Sequence, residues 1–247
     1  MADGRESAAA QAAYTDTFFK DMAGQSGSSA AVVVPLLCEM FEPASVIDVG
    51  CGTGEWLAEF VRSGVEDVHG LDGPWVDPAR LSIEPARFQA ADLENPPELG
   101  RRYDLVTSFE VAEHLPPQAA EPFVRYLTEL GDTVAFSAAI PFQGGTSHLN
   151  ERWQSYWSDL FEARGFLAFD LVRPQIWLKP EVEFWYRQNL VVYMSAERAA
   201  AFPHEPTDVV LPLVHPDLLE RQAAQRSWQP LARLRTRLRL RSRLKRR

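Results

Sequence analysis

Three groups of residues have the types and spacing to do chemistry. The first is the string Asp48-Val-Gly50-Cys51-Gly52-Thr-Gly54, which directly follows an apolar run and directly precedes an amphipathic one. Glycines let a chain turn tightly and approach a ligand where a Cβ would collide, and the first turn of a helix offers unpaired N–H groups. The second group is a series of acids, Asp48, Asp72 and Asp92, each at the end of a successive apolar run (VIDV, VHGLD, FQAAD). The third is Glu110, Glu113 and His114 in FEVAEHL, with His148 further along in GGTSH. Carboxylates and imidazoles in this combination can take a proton from a hydroxyl or ligate a divalent cation such as Mg2+.

The glycine string discriminates among nucleotide-type ligands. A dinucleotide pattern G-x-G-x-x-G needs a third glycine at position 55, where Glu55 stands and would oppose a pyrophosphate. No Gly-Lys-Ser/Thr follows, which removes a Walker-type phosphate loop as well. An adenosine-bearing ligand without phosphate fits better, and an acidic site favours a positive charge on it. S-adenosylmethionine, a sulfonium, has both properties. Asp72 can accept from both ribose hydroxyls, Asp92 from the adenine amino group, and Leu93 offers an apolar face to the base. Taken singly, each acid reads equally as a loop residue or a helix cap. Three in succession at strand ends, the edge where open α/β sheets bind ligands, read as one site.

Such a site needs elements that bring strand ends together. From Ala44 to Met194, short apolar runs alternate with amphipathic stretches about every 20 to 25 residues, the rhythm of β/α units. Strands are expected at Ser45–Val49, Val68–Leu71, Arg87–Ala90, Asp104–Ser108, Thr133–Ser137, Phe166–Val172 and Asn189–Met194, and helices at Trp56–Arg62, Ala119–Leu130 and Glu151–Arg164. The Pro-broken link before the last run suits an antiparallel final strand. The expected fold is α/β: a doubly wound, seven-stranded, mostly parallel sheet with an antiparallel last strand. Residues 1–43 form an N-terminal arm and helix, 44–199 the ligand-binding domain, 200–230 a Pro-rich extension and 231–247 a basic tail. Spacing of i, i+3 and i+4 would put Glu110, Glu113 and His114 on one side of a helical turn. His148 follows the fifth strand at the same edge, so the two groups can converge. The plainer reading of Glu110 to His114 is a helix start whose acids favour the dipole.

The set VIDVGCGTG, LDG, ADL and YDLVTSFEVAEHL, within roughly Ser45 to Met194, resembles the class I S-adenosylmethionine-dependent methyltransferases. The resemblance implies that the methionine half lies along Asp48, Gly50, Cys51, Gly52 and Gly54, the ribose on Asp72 beside Gly73, and adenine near Asp92 and Leu93. It also implies that Phe109 flanks the cofactor. FSAAIPFQGGTSHLNERWQSYW and EFWYRQN look like a bacterial group linked to surface-sugar and secondary-metabolite pathways. Glu-x-x-Glu-His resembles the metal-binding strings of ubiquinone-pathway O-methyltransferases and small-RNA 2′-O-methyltransferases, and it occurs in many methyltransferases with no known metal role. Two readings therefore stand together. One is a metal site of Glu110, Glu113, His114 and His148; the other is metal-free catalysis with His148 as general base, supported by His114 and Glu113. The expected activity is methyl transfer to a small-molecule or glycan acceptor at a hydroxyl. RNA 2′-O-methylation and a non-catalytic cofactor-binding scaffold are the rivals.

Composition narrows the partners. The 247 residues are 46% hydrophobic and 24% charged, the range of a packed domain. The longest apolar stretch, Ala30–Cys38, is nine residues with Pro35 inside, too short to cross a bilayer. MADGRESAAAQAAY does not read as a secretory signal, and Cys38 and Cys51 make no disulfide framework, so a cytoplasmic address is expected. The net charge of −9 conceals an asymmetry: the last 17 residues hold nine Lys or Arg and no acid, leaving 16 basic against 34 acidic groups in the first 230. The body disfavours nucleic acid, whereas the tail is suited to an anionic surface such as the inner membrane. Trp153, Tyr156, Trp157 and Phe161 recur at helical spacing and are read mainly as core. Tyr14, Phe18 and Phe19 are read as a lid or as packing on the sheet.

Overall fold

The computed structural model describes residues 16–224, with side chains from residue 24 onward. Seven strands form one sheet: β1 Ser45–Val49, β2 Asp67–Asp72, β3 Phe88–Ala90, β4 Leu105–Phe109, β5 Thr133–Ser137, β6 Phe166–Phe169 and β7 Val191–Ser195. Their order is β3-β2-β1-β4-β5-β7-β6. Strand β7 is antiparallel to β5 and β6, and every other pairing is parallel. The helices are α1 Asp16–Phe41, α2 Glu55–Arg62, α3 Ala120–Leu130, α4 Gln154–Glu162, α5 Arg173–Ile176, α6 Phe184–Asn189 and α7 Ala196–Ala200. The expected fold class is the observed one.

Side-chain alternation along β1 divides the core. Val46 points to the layer containing Val33, Val34 and Leu37 of α1 and Leu57 and Phe60 of α2. Ile47 and Val49 point the other way, to Phe123, Val124 and Leu127 of α3 and to Trp157 and Phe161 of α4. With helices on both faces, β1, β4 and β5 are buried throughout, which is why they read as continuous apolar runs. Each large apolar side chain removed from water in these layers contributes about 1.5–3 kcal/mol.

Two strands differ from expectation by more than one residue at an end, for local reasons. Strand β6 stops at Phe169 because Asp170 donates its N–H to the Thr207 hydroxyl at 2.9 Å and its carboxylate accepts from Arg173. Strand β7 starts at Val191 because α6 runs through Asn189.

The chain divides into two compact units, Met1–Leu213 and Val214–Arg247. Helix α1 supplies core residues of the first unit, so it is part of that unit and not a separate arm. Residues 200–213 also belong to it, later than the expected boundary after 199. Buried Arg173 donates to the carbonyls of Gln188 and Leu211, and Gln154 donates to that of Leu213. The described part of the second unit carries a helix over 216–224. The basic tail, Tyr14 and the side chains of Phe18 and Phe19 lie outside the described residues. Among the described residues, no helix is long and apolar enough to cross a membrane.

In chain order, β2 and β3 extend the sheet to one side of β1, and β4 and β5 extend it to the other. The strand order therefore reverses at β1/β4, and open sheets form their ligand crevice beyond the carboxyl ends of such strands.

Candidate active site

The turn leaving β1 is left-handed at three glycines: φ is +89° at Gly50, +54° at Gly52 and +86° at Gly54. Gly50 and Cys51 both donate to the Leu71 carbonyl, at 2.7 and 3.0 Å, which ties the turn to β2. The two critical glycines serve different ends. A Cβ at Gly50 would come within 2.2 Å of Val111, so the absent side chain is needed for packing. A Cβ at Gly52 would meet nothing within 4 Å, so this side of the turn is open. Gly54 is the N-cap of α2 and supplies no side-chain cap to that helix's first N–H groups. Glu55 opens α2 and accepts the Thr53 hydroxyl at 2.6 Å.

Two of the three acids meet this turn. Asp48 is 2% exposed, and its Oδ1 accepts the Thr107 hydroxyl at 2.8 Å. Burial pushes its carboxyl up to about 7; the Thr107 bond eases that shift, and the charges of Asp72 and Glu55 add to it. Asp72 ends β2 and is buried. Its Oδ2 accepts from Gly52 N at 2.7 Å, its Oδ1 accepts from Gly73 N at 2.6 Å, and the Trp75 indole is a further donor. Burial raises the Asp72 pKa and these bonds oppose the rise. The Trp75 ring covers Gly73, where a Cβ would fall 2.1 Å from it.

Asp92 is placed differently. It lies two residues beyond β3, exposed, with Oδ1 accepting from Glu94 N and Oδ2 from the Asn95 amide, each at 3.0 Å, so it caps a local turn. Leu93 beside it is buried. Phe109 ends β4, buried, with its ring 4.4 Å from that of Trp56. The Cys51 thiol is buried and its pKa is pushed well up by that burial and by neighbouring acids, so it is no nucleophile.

The segment after β4 corrects the helical-turn expectation. Glu110 has φ +56°, and only Ala112–His114 form a single 3-10 turn, so Glu110, Glu113 and His114 do not share a helix face. The cause is tertiary. Glu110 N donates to the Ser137 carbonyl and hydroxyl, at 2.9 and 3.2 Å, and its carboxylate is clamped by Gln143 Nε2 at 2.7 Å and Asn189 Nδ2 at 3.1 Å. Among the described residues, the cluster whose ligand atoms lie within 4.8 Å of one another is Glu113, His114 and His148. The expected four-residue metal set thus becomes three, with Glu110 held aside.

Glu113 is fully buried, and neither carboxylate oxygen makes a hydrogen bond. Burial first, and the Glu110 charge second, hold its carboxyl well above the usual range, while the nearby backbone N–H groups of Glu113 and Ala139 offset only part of this. The His114 Nδ1 is likewise buried without a partner. Burial and the neighbouring His148 bring the His114 pKa down to about 4, against a smaller opposing effect of the Ser147 backbone. The rings of His114 and His148 meet edge to face at 4.9 Å, and His148 Nδ1 lies 2.9 Å from Glu151 Oε1. An ionised carboxylate left unpaired in this way costs several kcal/mol, which a proton or a cation relieves. The donor set fits a divalent cation.

Sequence reading missed Thr107, Trp75, Gln143, Glu151 and Asn189. Glu151 lies three residues from His148 and carried a signal. Gln143 and Asn189 reach Glu110 across 33 and 79 residues, and nothing local marks them.

Residues 28–166 match the family model described as a methyltransferase domain. Among solved structures, the chain is similar to an O-methyltransferase family protein from Burkholderia thailandensis, with a TM-score of 0.57, 17% identity, and coverage of 73% of this chain and 59% of that one. It is similar to DesVI from Streptomyces venezuelae (TM-score 0.55, 17% identity, 73% and 96% covered). A third is magnesium protoporphyrin IX methyltransferase from Synechocystis PCC 6803 with bound SAH (TM-score 0.53, 18% identity, 70% and 84% covered). The chain thus spans less than two thirds of the Burkholderia protein, and at these identities the likeness is one of fold. No curated protein matches the chain.

Proposed function

The chain belongs to the methyltransferase-domain family, and from that premise we propose that it is a class I S-adenosylmethionine-dependent enzyme that methylates a hydroxyl of a small-molecule or glycan acceptor. The observation that carries this reading is Glu113, fully buried and without a hydrogen bond, beside two imidazoles at the sheet edge that also holds the glycine turn.

The open side of the turn at Gly52 suits the methionine half of the cofactor. Asp48 supplies a carboxylate that a cationic ligand would ionise, and Asp72 keeps lone-pair capacity for a ribose hydroxyl. Methyl transfer from a sulfonium is an in-line displacement, so the protein has to align the acceptor oxygen and remove its proton. His114, with its pKa lowered to about 4, is a neutral imidazole at physiological pH, and His148 stands beside it.

Glu113, His114 and His148 would hold a divalent cation, which supplies Lewis acidity that makes a hydroxyl easier to deprotonate. Two imidazoles to one carboxylate suit Mn2+ or Zn2+ better than the Mg2+ expected from the sequence. The O-methyltransferase description of the Burkholderia neighbour is in keeping with an oxygen acceptor. The acidic balance of the first 230 residues counts against RNA.

A methyl-label transfer screen over sugar nucleotides, glycolipids and phenols tests the reading, run with chelator and then with restored Mn2+ or Mg2+. Label should enter a hydroxyl-bearing acceptor, disappear with chelation and return best with Mn2+. Label found only on nitrogen, or on no acceptor, overturns the hydroxyl assignment. Full turnover in excess chelator discards the cation and leaves His148 as the base.

A further inference from the structure

One ring nitrogen of His148 is already committed. Its Nδ1 lies 2.9 Å from Glu151 Oε1, and an ionised carboxylate only accepts hydrogen bonds, so the ring proton belongs on Nδ1 and Nε2 keeps its lone pair. Glu151 is itself held in place. Its Oε2 accepts from Phe142 N at 2.8 Å and its Oε1 from Gly144 N at 3.2 Å. One carboxylate therefore joins the start of the loop to the imidazole near its end.

The loop carries signs of a constrained conformation. Phe142 and Ser147 sit at φ +71° and +60°, which residues with side chains keep only where surrounding contacts enforce it. At Gly145 a Cβ would fall 2.1 Å from His148 Nε2, so the ring packs against the glycine and only a residue without a side chain leaves room for it there. The side chains of His148 and Glu151 are only 12% and 23% exposed, which shelters their bond from competing water.

We propose that Glu151 is a positioning residue that fixes His148 in the Nδ1–H tautomer and so makes Nε2 the working nitrogen beside Glu113 and His114. Carboxylate partners of this kind orient imidazoles in metal sites and in acid–base dyads alike. The proposal rests on the reading of His148 given above for what Nε2 does, while the tautomer itself is measurable without any ligand.

The test is 15N NMR of the histidine rings in the full chain at about pH 8, paired with Mn2+ titration. The chain has five histidines, and Glu151 variants can be compared once His148→Gln identifies its signal. The wild type should show the proton on Nδ1. Glu151→Gln, which keeps an accepting oxygen, should retain that tautomer. Glu151→Leu should move the ring toward Nε2–H and weaken Mn2+ binding roughly 10- to 100-fold. Should the Leu variant not fold, Glu151→Ser, too short to reach Nδ1, is read in its place. A wild-type proton on Nε2, or an unchanged tautomer in the Leu or Ser variant, overturns the proposal. A tautomer shift with Mn2+ affinity intact supports Glu151 and overturns the cation reading instead.

Discussion

Asp48 and Thr107 stand opposite each other in the β1–β4 register, and the threonine hydroxyl donates to Asp48 Oδ1 at 2.8 Å in a fully enclosed position. The bond lies where strand order reverses, directly before the glycine turn. It links an ionisable group in the core to the ligand crevice, and a pH dependence follows.

In the cofactor-free protein the Asp48 carboxyl keeps its proton up to about pH 7, whereas its ordinary value is 3.8. Between these values the unfolded chain binds fewer protons than the native one, so the Asp48 contribution to stability falls as pH rises from about 4 to about 7. A cationic cofactor favours the ionised form, so its affinity should rise through the same region, by about tenfold between pH 6 and pH 8 for one site. Calorimetric titration at several pH values reads this. Asp48→Asn should flatten the profile, and a wild-type profile already flat would refute the linkage.

Thr107→Val removes the hydrogen bond that offsets part of the effect of burial on Asp48. The Asp48 midpoint should move above 7, and loss of the buried hydrogen bond should cost about 1 kcal/mol of stability. Thermal unfolding and the pH profile of cofactor affinity measure the two effects separately.

Gly50→Ala and Gly52→Ala should fail in different ways. At 50 the methyl group collides with Val111, so the cost is overpacking of about 1–3 kcal/mol plus left-handed strain, partly relieved by Val111→Ala. At 52 there is space, so the protein should stay folded with strain of about 1–2 kcal/mol and lose cofactor affinity. Circular dichroism melts and cofactor titrations separate the two.

Trp75 donates to Asp72, the carboxylate assigned to the ribose. Ribose hydroxyls compete for the same oxygens, so cofactor binding should displace the indole and change its fluorescence. The cofactor-dependent emission change should shrink in Trp75→Phe despite the other six tryptophans. An undiminished change would place the signal on another indole.

The fold and half of the site were legible in the sequence for one reason: β1, β2 and β4 are short apolar runs ended by functional groups, and period and punctuation are local signals. The core-facing spacing of Ala30, Val33, Val34 and Leu37 is a local signal for α1 too, within the stretch 1–43 that reads as an arm and helix. Glu110 was not legible. Its spacing to Glu113 and His114 suits a helix, but bonds to Ser137, Gln143 and Asn189 override that spacing and force a left-handed residue. Asp92 misleads in the opposite sense, since a strand-end acid with Asn95 three residues on also satisfies a local turn.

The placement of the cofactor on the glycine turn and Asp72 is tested most directly by calorimetric titration of the full chain and of Asp72→Asn with S-adenosylmethionine, with NAD as control. The wild type should bind S-adenosylmethionine and not NAD, and the variant should bind it roughly tenfold more weakly or worse, as expected for lost hydrogen bonds to a charged group. Equal affinity in the two proteins, or a wild type that prefers NAD, would contradict the assignment.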